Sequence, residues 1–158
     1  MKKPLKLQLT AAVIQYPDPR LRQAAERFPV EQEGWPTELL ADMRKMAAGA
    51  LGLAATQVGV PYRVMLVRAA ASHDFIELVN PLIVRTSRET ETRPERCLSF
   101  DEGKYVCRVA RARKCVVQHH GGTLNCAGAL ARIVQHELDH LDGITLAQRD
   151  VNASREVV

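Results

Sequence analysis

The segment "QHELDH" at residues 135–140 carries a His-Glu-x-x-His pattern formed by His136, Glu137 and His140. On a helix, side chains four residues apart lie about 5–6 Å from one another between their Cβ atoms, so two imidazoles can bind one ion. Glu137 follows His136 by about 100° of rotation and lies beside that ion, where it can take a proton from a bound water and pass it on. The pattern favours a metal-dependent hydrolase, although a short pattern of this kind also occurs by chance on solvated helix faces.

A catalytic metal site needs a third protein ligand and an open position for water. Residues 144–158 contain a single glutamate, and Leu146 stands where a third histidine of the metzincin type would be, so the third ligand is expected upstream. Cys97, in "ERCLSF", is the strongest candidate, because a thiolate suits Zn²⁺ or Fe²⁺. His119 and His120 are weaker candidates, because they adjoin two glycines at an expected hairpin tip.

Carboxylates near the histidines offer a further role. Asp139 and Asp142 lie on or just after the same helical segment, and a carboxylate that accepts from an imidazole can fix its orientation. Plain charges on the helix surface are an equally good interpretation of both residues.

The elements that must position these residues predict an α+β fold, with antiparallel strands packed around the HExxH helix. Residues 129–143 form one expected helix, with Ile133 on the histidine face and Gly143 as its stop. A second helix is expected over 34–50. Strand character is found at 62–67, at 75–84 with a break at Asn80-Pro81, and at 104–128 around Gly121-Gly122. Helices and strands are segregated along the chain, which is typical of α+β folds.

Composition narrows the functional class. The chain has 158 residues, which suggests one domain, with 46% hydrophobic and 25% charged residues. No apolar run approaches the roughly 18 residues of a membrane span, and the first residues do not resemble a signal peptide, so a cytoplasmic location is expected. The net charge of +4 with only 4% aromatic residues gives no nucleic-acid motif, while weak docking to an anionic partner such as a ribosome stays open. Cys107, Cys115 and Cys126 form no CxxC pair and are expected to be buried apolar fillers.

Three segments together resemble the signature motifs of the peptide deformylase family. They are "GLAATQVGV" at 52–60, "ERCLSF" at 95–100 and "QHELDHLDG" at 135–143, in the family's order, and "YPDPRLR" and "NPLIV" are similar to further family segments. The resemblance implies a single catalytic domain over 1–158 with a short C-terminal tail. It also implies hydrolysis of the formyl group from the N-formylmethionine of nascent polypeptides, with release of formate.

The resemblance assigns roles to individual residues. It implies Cys97, His136 and His140 as ligands of one divalent ion, usually Fe²⁺, with Zn²⁺, Ni²⁺ or Co²⁺ able to substitute. It implies Glu137 as the general acid and base, and the Gln57 side chain with the Leu98 backbone N–H as donors to the formyl oxygen. Candidate substrate contacts are an exposed strand edge around Gly52 and Leu53, to which the peptide backbone would pair, and a methionine pocket lined by Ile133 and Val134.

Two positions depart from the family pattern. Ala50 replaces the first glycine of Gly-x-Gly-Leu-Ala, and Arg96 replaces the glycine of Glu-Gly-Cys-Leu-Ser. A cation at 96 could lower the pKa of the Cys97 thiol, alter substrate entry, or shift the backbone if φ there must be positive. Two alternatives therefore stay open, a catalytically weak or silent relative that binds nascent peptides and another metal-dependent amidohydrolase or peptidase. An organellar or viral source is equally open.

Overall fold

The computed structural model describes residues 5–153 and consists of antiparallel sheets with few helices. The first four residues and the end of the expected tail, 154–158, lie outside the described residues. The helices are α1 (Val30–Glu33), α2 (Thr37–Met46), α3 (Gly128–Leu141) and α4 (Leu146–Arg149). The strands are β1 (Gly52–Ala54), β2 (Val64–Val67), β3 (Ile76–Val79), β4 (Leu82–Thr86), β5 (Thr90–Glu95), β6 (Cys107–Ala112), β7 (Lys114–His119) and β8 (Gly122–Ala127). Short 3₁₀ turns occupy Pro19–Arg22, Ala55–Val58 and Asp101–Gly103.

The strands form three antiparallel sheets. Their orders are β1-β2-β3, β4-β7-β8 and β5-β6. In the first sheet both faces are covered, which explains the uninterrupted apolar sequence of β2. Val64 and Leu66 pack in a cluster with α2, whereas Met65 and Val67 pack in a second cluster with α3. Burying each of these side chains stabilises the fold by about 1.5–3 kcal/mol.

Helix α3 lies against the first sheet and also contacts β6, β7 and β8. Its apolar face, which includes Ala131, Val134, Leu138 and Leu141, packs with Met65 of β2 and with residues of the β7-β8 hairpin. The helix ends just before Gly143, which has φ +73°. A Cβ on this glycine would lie 2.6 Å from the carbonyl oxygen of Arg22, so only glycine fits there.

Most helices and strands lie where the sequence predicts them, but the structure has one strand near the candidate site, β5, that the sequence does not predict. The expected break at Asn80 is present, with φ +55°, and Gly122 of the β7-β8 hairpin has φ +133°. Strand β5 was not predicted, because it is polar and contains Pro94. It pairs along its whole length with β6 and carries the chain directly to Cys97. Within residues 5–153, no helix is long and apolar enough to cross a membrane.

Candidate metal centre

The side chains of Cys97, His136 and His140 converge on one point. One ligand atom from each lies within 4.8 Å of the other two, and Sγ of Cys97 is 3.2 Å from Nε2 of His140. All three residues are buried. The group does not include His119 or His120, which lie at the tip of the β7-β8 hairpin, where Nδ1 of His119 accepts from the Gly121 N–H.

Two different elements bring these ligands together. The histidines are one turn apart on α3, with ring centroids 5.1 Å from each other. Cys97 lies in the tight turn that follows β5, where the Phe100 N–H donates to the Cys97 carbonyl at 3.0 Å. The Ser99 N–H donates to the sulfur at 3.4 Å, which helps to fix its position.

Glu95 forms a hydrogen bond with the His136 imidazole, a role that the sequence did not predict. Its Oε1 lies 2.8 Å from Nδ1 of His136, which leaves Nε2 for an ion. Burial opposes ionisation of Glu95, but the hydrogen bonds from His136 and Arg111 outweigh it and hold the pKa at about 2. Burial lowers the pKa of His136, but its contacts with Cys97 and Glu95 outweigh burial and hold that pKa well above its ordinary value. Binding of an ion at Nε2 would displace the proton from this nitrogen. Burial lowers the pKa of His140 well below its ordinary value, so this imidazole is neutral and can act as a ligand.

A buried ionic network supports Glu95. Arg111, only 5% exposed, donates from Nε and Nη2 to the two carboxylate oxygens of Glu95 at 3.1 and 3.0 Å and from Nη1 to Asp139. Arg132 donates to Glu95 at 2.6 Å, and Arg149 donates to both oxygens of Asp139. Buried charges persist where they are paired in this way.

The aspartates of the motif segment have partners other than an imidazole. Asp139 pairs with Arg111 and Arg149, and Asp142 pairs with Arg63 at 2.8 Å. The orienting carboxylate comes instead from β5, 41 residues earlier than His136. The sequence signal for this role is the position of Glu95 two residues before Cys97 in the same motif.

Glu137 lies beside the ligands without joining them. It is 4% exposed, burial raises its pKa to about 7, and its Oε2 has no hydrogen-bond partner. Gly52 of β1 makes room for it, since a Cβ on that glycine would lie 2.5 Å from Oε1 and 2.8 Å from Cγ of Glu137. A carboxylate with a pKa near neutrality can exchange a proton in either direction at physiological pH.

Gln57 points its amide nitrogen at the same place. Its Oε1 accepts from the Ala54 N–H at 2.9 Å, which fixes the amide so that Nε2 faces Ser99 Oγ at 3.0 Å and Cys97 Sγ at 3.6 Å. Leu98 follows the cysteine, its carbonyl accepts from Gln15, and its N–H has no partner among the hydrogen bonds of residues 5–153. The Gln57 amide is therefore a donor next to the sulfur, and the Leu98 N–H, one residue after Cys97, is a second donor without a described partner.

These residues share one cavity of about 570 Å³. Gln57, Cys97, Leu98, His136 and Glu137 line it. Of the expected substrate contacts, Gly52 and Ile133 line the cavity as well. Leu53 and Val134 are fully buried, and their side chains belong to the two apolar clusters and not to the cavity lining.

The polypeptide deformylase family model matches residues 10–156 of this chain. The chain belongs to that family. A peptide deformylase from Neisseria meningitidis is 40% identical over 145 residues, which cover 87% of this chain and 84% of the relative. One from Desulforudis audaxviator is 34% identical, covering 87% of this chain and 91% of the relative.

Solved structures of deformylases superpose closely. A class I type b peptide deformylase from Acinetobacter baumannii has a TM-score of 0.80 at 30% identity and covers 90% of this chain and all of its own. The enzyme of the Vibrio parahaemolyticus bacteriophage VP16T, solved in complex with actinonin, has a TM-score of 0.75 at 30% identity, covering 85% of this chain and 99% of its own. The fold of the described residues is therefore a peptide deformylase fold.

The two departures from the deformylase pattern do not strain the backbone. Positive φ among the described non-glycine residues occurs at Asn80, Asp101 and Glu102, and therefore at neither Ala50 nor Arg96. A side chain at each of these two positions is conformationally ordinary. Of the consequences considered for Arg96, a forced backbone shift is thereby removed, and its effect must come from the side chain itself.

The donor set fits the ion that deformylases require. One sulfur and two imidazole nitrogens are ligands that Zn²⁺ and Fe²⁺ both accept. The ligands are buried and close together, and a carboxylate oxygen of Glu137 lies beside them without a partner. These are features of a prepared site, because burying such polar groups without an ion or a hydrogen bond is costly.

Proposed function

We propose that this protein is a metal-dependent hydrolase that removes the formyl group from the N-formylmethionine of polypeptides and releases formate. The convergence of Cys97, His136 and His140 beside Glu137, in a chain of the deformylase family, is the observation that carries this function. The complete set of chemical groups favours it over a silent relative.

Cys97, His136 and His140 would hold one divalent ion, which we propose to be Fe²⁺, with Zn²⁺, Ni²⁺ or Co²⁺ as substitutes. Such an ion supplies a Lewis acid and makes water a stronger nucleophile near neutral pH. Glu95 keeps the His136 ring in the orientation that presents Nε2 to the site, and partners of this kind typically change metal affinity about 10–100-fold.

The formyl oxygen gains negative charge when water attacks the formyl carbon. The Gln57 amide nitrogen, which lies 3.6 Å from Cys97 Sγ, and the Leu98 N–H would donate to that oxygen. Because Ala54 fixes the Gln57 amide before substrate arrives, this donor requires no rearrangement during the reaction. Each donor of this kind is typically worth about 10²–10³ in rate.

Glu137 carries the proton. Its carboxylate accepts a proton from the attacking water and returns it to the amide nitrogen as the C–N bond breaks, so that formate and a free amine leave. The pKa of about 7 that results from burial suits both halves of this transfer.

The substrate chain would lie along β1. Within residues 5–153 this strand is at the edge of its sheet and pairs with β2 alone, so its other edge can accept an extended peptide. Gly52 offers that edge and Ile133 an apolar contact for the methionine side chain. The Leu53 backbone belongs to the same edge, and Val134 supports the pocket from the core behind it.

The same proposal covers the architecture. We infer that the HExxH helix is the central element, that 1–158 forms one catalytic domain, and that substrates arrive as nascent chains during a transient encounter with a ribosome. These three points go beyond the family assignment, and the proposed chemistry does not depend on them.

A formate-release assay tests the function. The protein is purified without oxygen, its metal content is measured, and formyl-Met-Ala-Ser is compared with acetyl-Met-Ala-Ser and with unformylated peptides. We expect formate only from the first peptide. Glu137→Ala should retain the metal and lose about 10²–10⁴ in rate. Equal turnover in both proteins would remove Glu137 from the mechanism, and cleavage of only the other peptides would favour a different amidohydrolase.

A further inference from the structure

Arg96 stands in the wall of the metal cavity, one residue before Cys97. Its side chain is exposed, and no carboxylate of residues 5–153 forms an ion pair with it within 4.0 Å. The described hydrogen bonds of its guanidinium are two long ones from Nη1, to the carbonyls of Gly103 at 3.3 Å and Lys104 at 3.4 Å. Nε and Nη2 donate to no described protein group, so half of the guanidinium fork is available to a ligand.

The other arginine of the cavity wall is occupied. Arg132 donates to Glu95 at 2.6 Å, to the Val109 carbonyl at 2.9 Å and to the Glu91 carbonyl. Both terminal nitrogens of this guanidinium are therefore engaged within the protein. Among the described residues that line the cavity, Arg96 is the exposed cation that forms no ion pair.

The negative charges near Arg96 do not cancel it. Glu95 is neutralised by Arg111 and Arg132, with which it forms ion pairs. Glu102 also lines the cavity, is exposed, and lies beyond 4.0 Å from the guanidinium nitrogens. Its carboxylate reduces the positive potential at the cavity mouth without occupying the fork of Arg96.

The location relative to the reacting groups defines what Arg96 can reach. The formyl group is expected between Gln57, Cys97 and Glu137, which are buried at the closed end of the cavity. The peptide must leave toward the opening, where Arg96 is exposed. Since a guanidinium presents a planar fork that matches a carboxylate, the group that fits best there is an acidic side chain of the substrate.

We propose that Arg96 is a specificity-determining residue that binds a carboxylate carried by one of the two residues after the formylmethionine. This inference rests on the proposed deformylase function. Arg96, which replaces the family glycine, would thus influence which formylated peptides bind. The chemical step would still depend on the groups around the metal.

Kinetics on matched peptides tests the proposal. The metal-loaded protein is assayed with formyl-Met-Glu-Ala-amide against its Gln counterpart, and with formyl-Met-Ala-Glu-amide against its Gln counterpart. The C-terminal amides remove the competing terminal carboxylate, and the two pairs separate the two positions. We expect kcat/KM to favour Glu over Gln about threefold to fivefold in one pair at low salt, the range of an exposed ion pair. The preference should shrink at high ionic strength.

Variants assign the preference to the side chain. Arg96→Gln should bring the ratio of kcat/KM values to about 1, and Arg96→Glu should reverse it. Lys104→Gln removes one nearby positive charge that does not line the metal cavity and should keep the ratio of the wild type. The change should appear mainly in KM, because Arg96 does not touch the reacting atoms.

Three results would overturn the role of Arg96. They are an unchanged ratio in Arg96→Gln, an equal loss of the ratio in Lys104→Gln, and a loss in Arg96→Gln that affects both peptides of a pair equally and is accompanied by a lower Tm. The third result would show that Arg96 acts only by stabilising the turn at Gly103, to whose carbonyl it donates. If the Gln peptides release formate, the proposed deformylase activity is supported in all three cases. If metal-loaded wild type releases no formate, the proposed activity itself is wrong.

Discussion

Replacing Gly52 by alanine should disable the protein through Glu137. The added Cβ would lie 2.5 Å from Oε1, 2.8 Å from Cγ and 2.9 Å from Cδ of Glu137, whereas ordinary contact begins at 3.4 Å. The carboxylate must therefore move by about 0.9 Å, or β1 must move away from α3. A misplacement of about 1 Å in a reacting group typically costs about 10²-fold in rate.

We expect kcat/KM of Gly52→Ala to fall about 10²-fold, equivalent to about 2.7 kcal/mol of transition-state stabilisation. The free energy of unfolding should fall by about 1–3 kcal/mol, the usual cost of overpacking a tight site. Metal content should stay the same, because the three atoms nearest to the added Cβ all belong to Glu137, which is not a candidate ligand. Formate release, urea unfolding and metal analysis measure the three quantities.

A double-mutant cycle isolates the contact. Glu137→Ala removes all the atoms that the new Cβ would strike, so adding Gly52→Ala in that background should cost almost no stability. Ala50→Gly, two residues earlier, is a nearby control that introduces no clash and should cost only about 0.4–1 kcal/mol, through the greater freedom of the unfolded chain. Wild-type kcat/KM in Gly52→Ala, or the same loss of stability with and without the Glu137 side chain, would refute the reasoning.

Two further substitutions test the remaining parts of the site. Gln57→Leu should keep the metal and lower kcat about 10²–10³-fold, because a donor to the formyl oxygen is removed; a change confined to KM would contradict that role. Glu95→Gln should lower metal affinity about 10–100-fold, because His136 loses its charged partner, and should lower Tm, because Arg111 keeps a buried charge with a weaker partner. Metal titration and thermal unfolding measure both effects, and unchanged affinity would show that His136 is oriented by the helix alone.

The grouping of the three candidate ligands could be predicted because its signal is local or follows from elimination. His136 and His140 are one turn apart on a helix whose apolar spacing is clear in the sequence. Cys97 was found because other ligand types are lacking downstream and because its neighbours match a family motif. The structure groups the same three residues within 4.8 Å.

The position of Glu95 and its arginine partners around the ligands could not be predicted in the same way, because it depends on a strand with no recognisable sequence pattern. β5 is polar and contains a proline, so its pairing with β6 has no apolar alternation to reveal it. Without that strand, Glu95 has no predicted location, and nearby Asp139 is the natural but different choice for an orienting carboxylate. The side-chain direction of Val134, a candidate for lining the pocket, was equally unpredictable, because its burial follows from tertiary packing.

The buried network also explains how ligands from two separate elements stay in register. Cys97 follows β5, whereas both histidines belong to α3, and no covalent link holds these two segments together. Arg111 of β6 donates to Glu95 on one side and to Asp139 of α3 on the other, so a single guanidinium connects both ligand carriers. Glu95 then completes the connection through its bond to the His136 ring. The charged side chains of this network thus fix the distance between the thiol and the imidazoles, and the proposed binding of one ion depends on that distance.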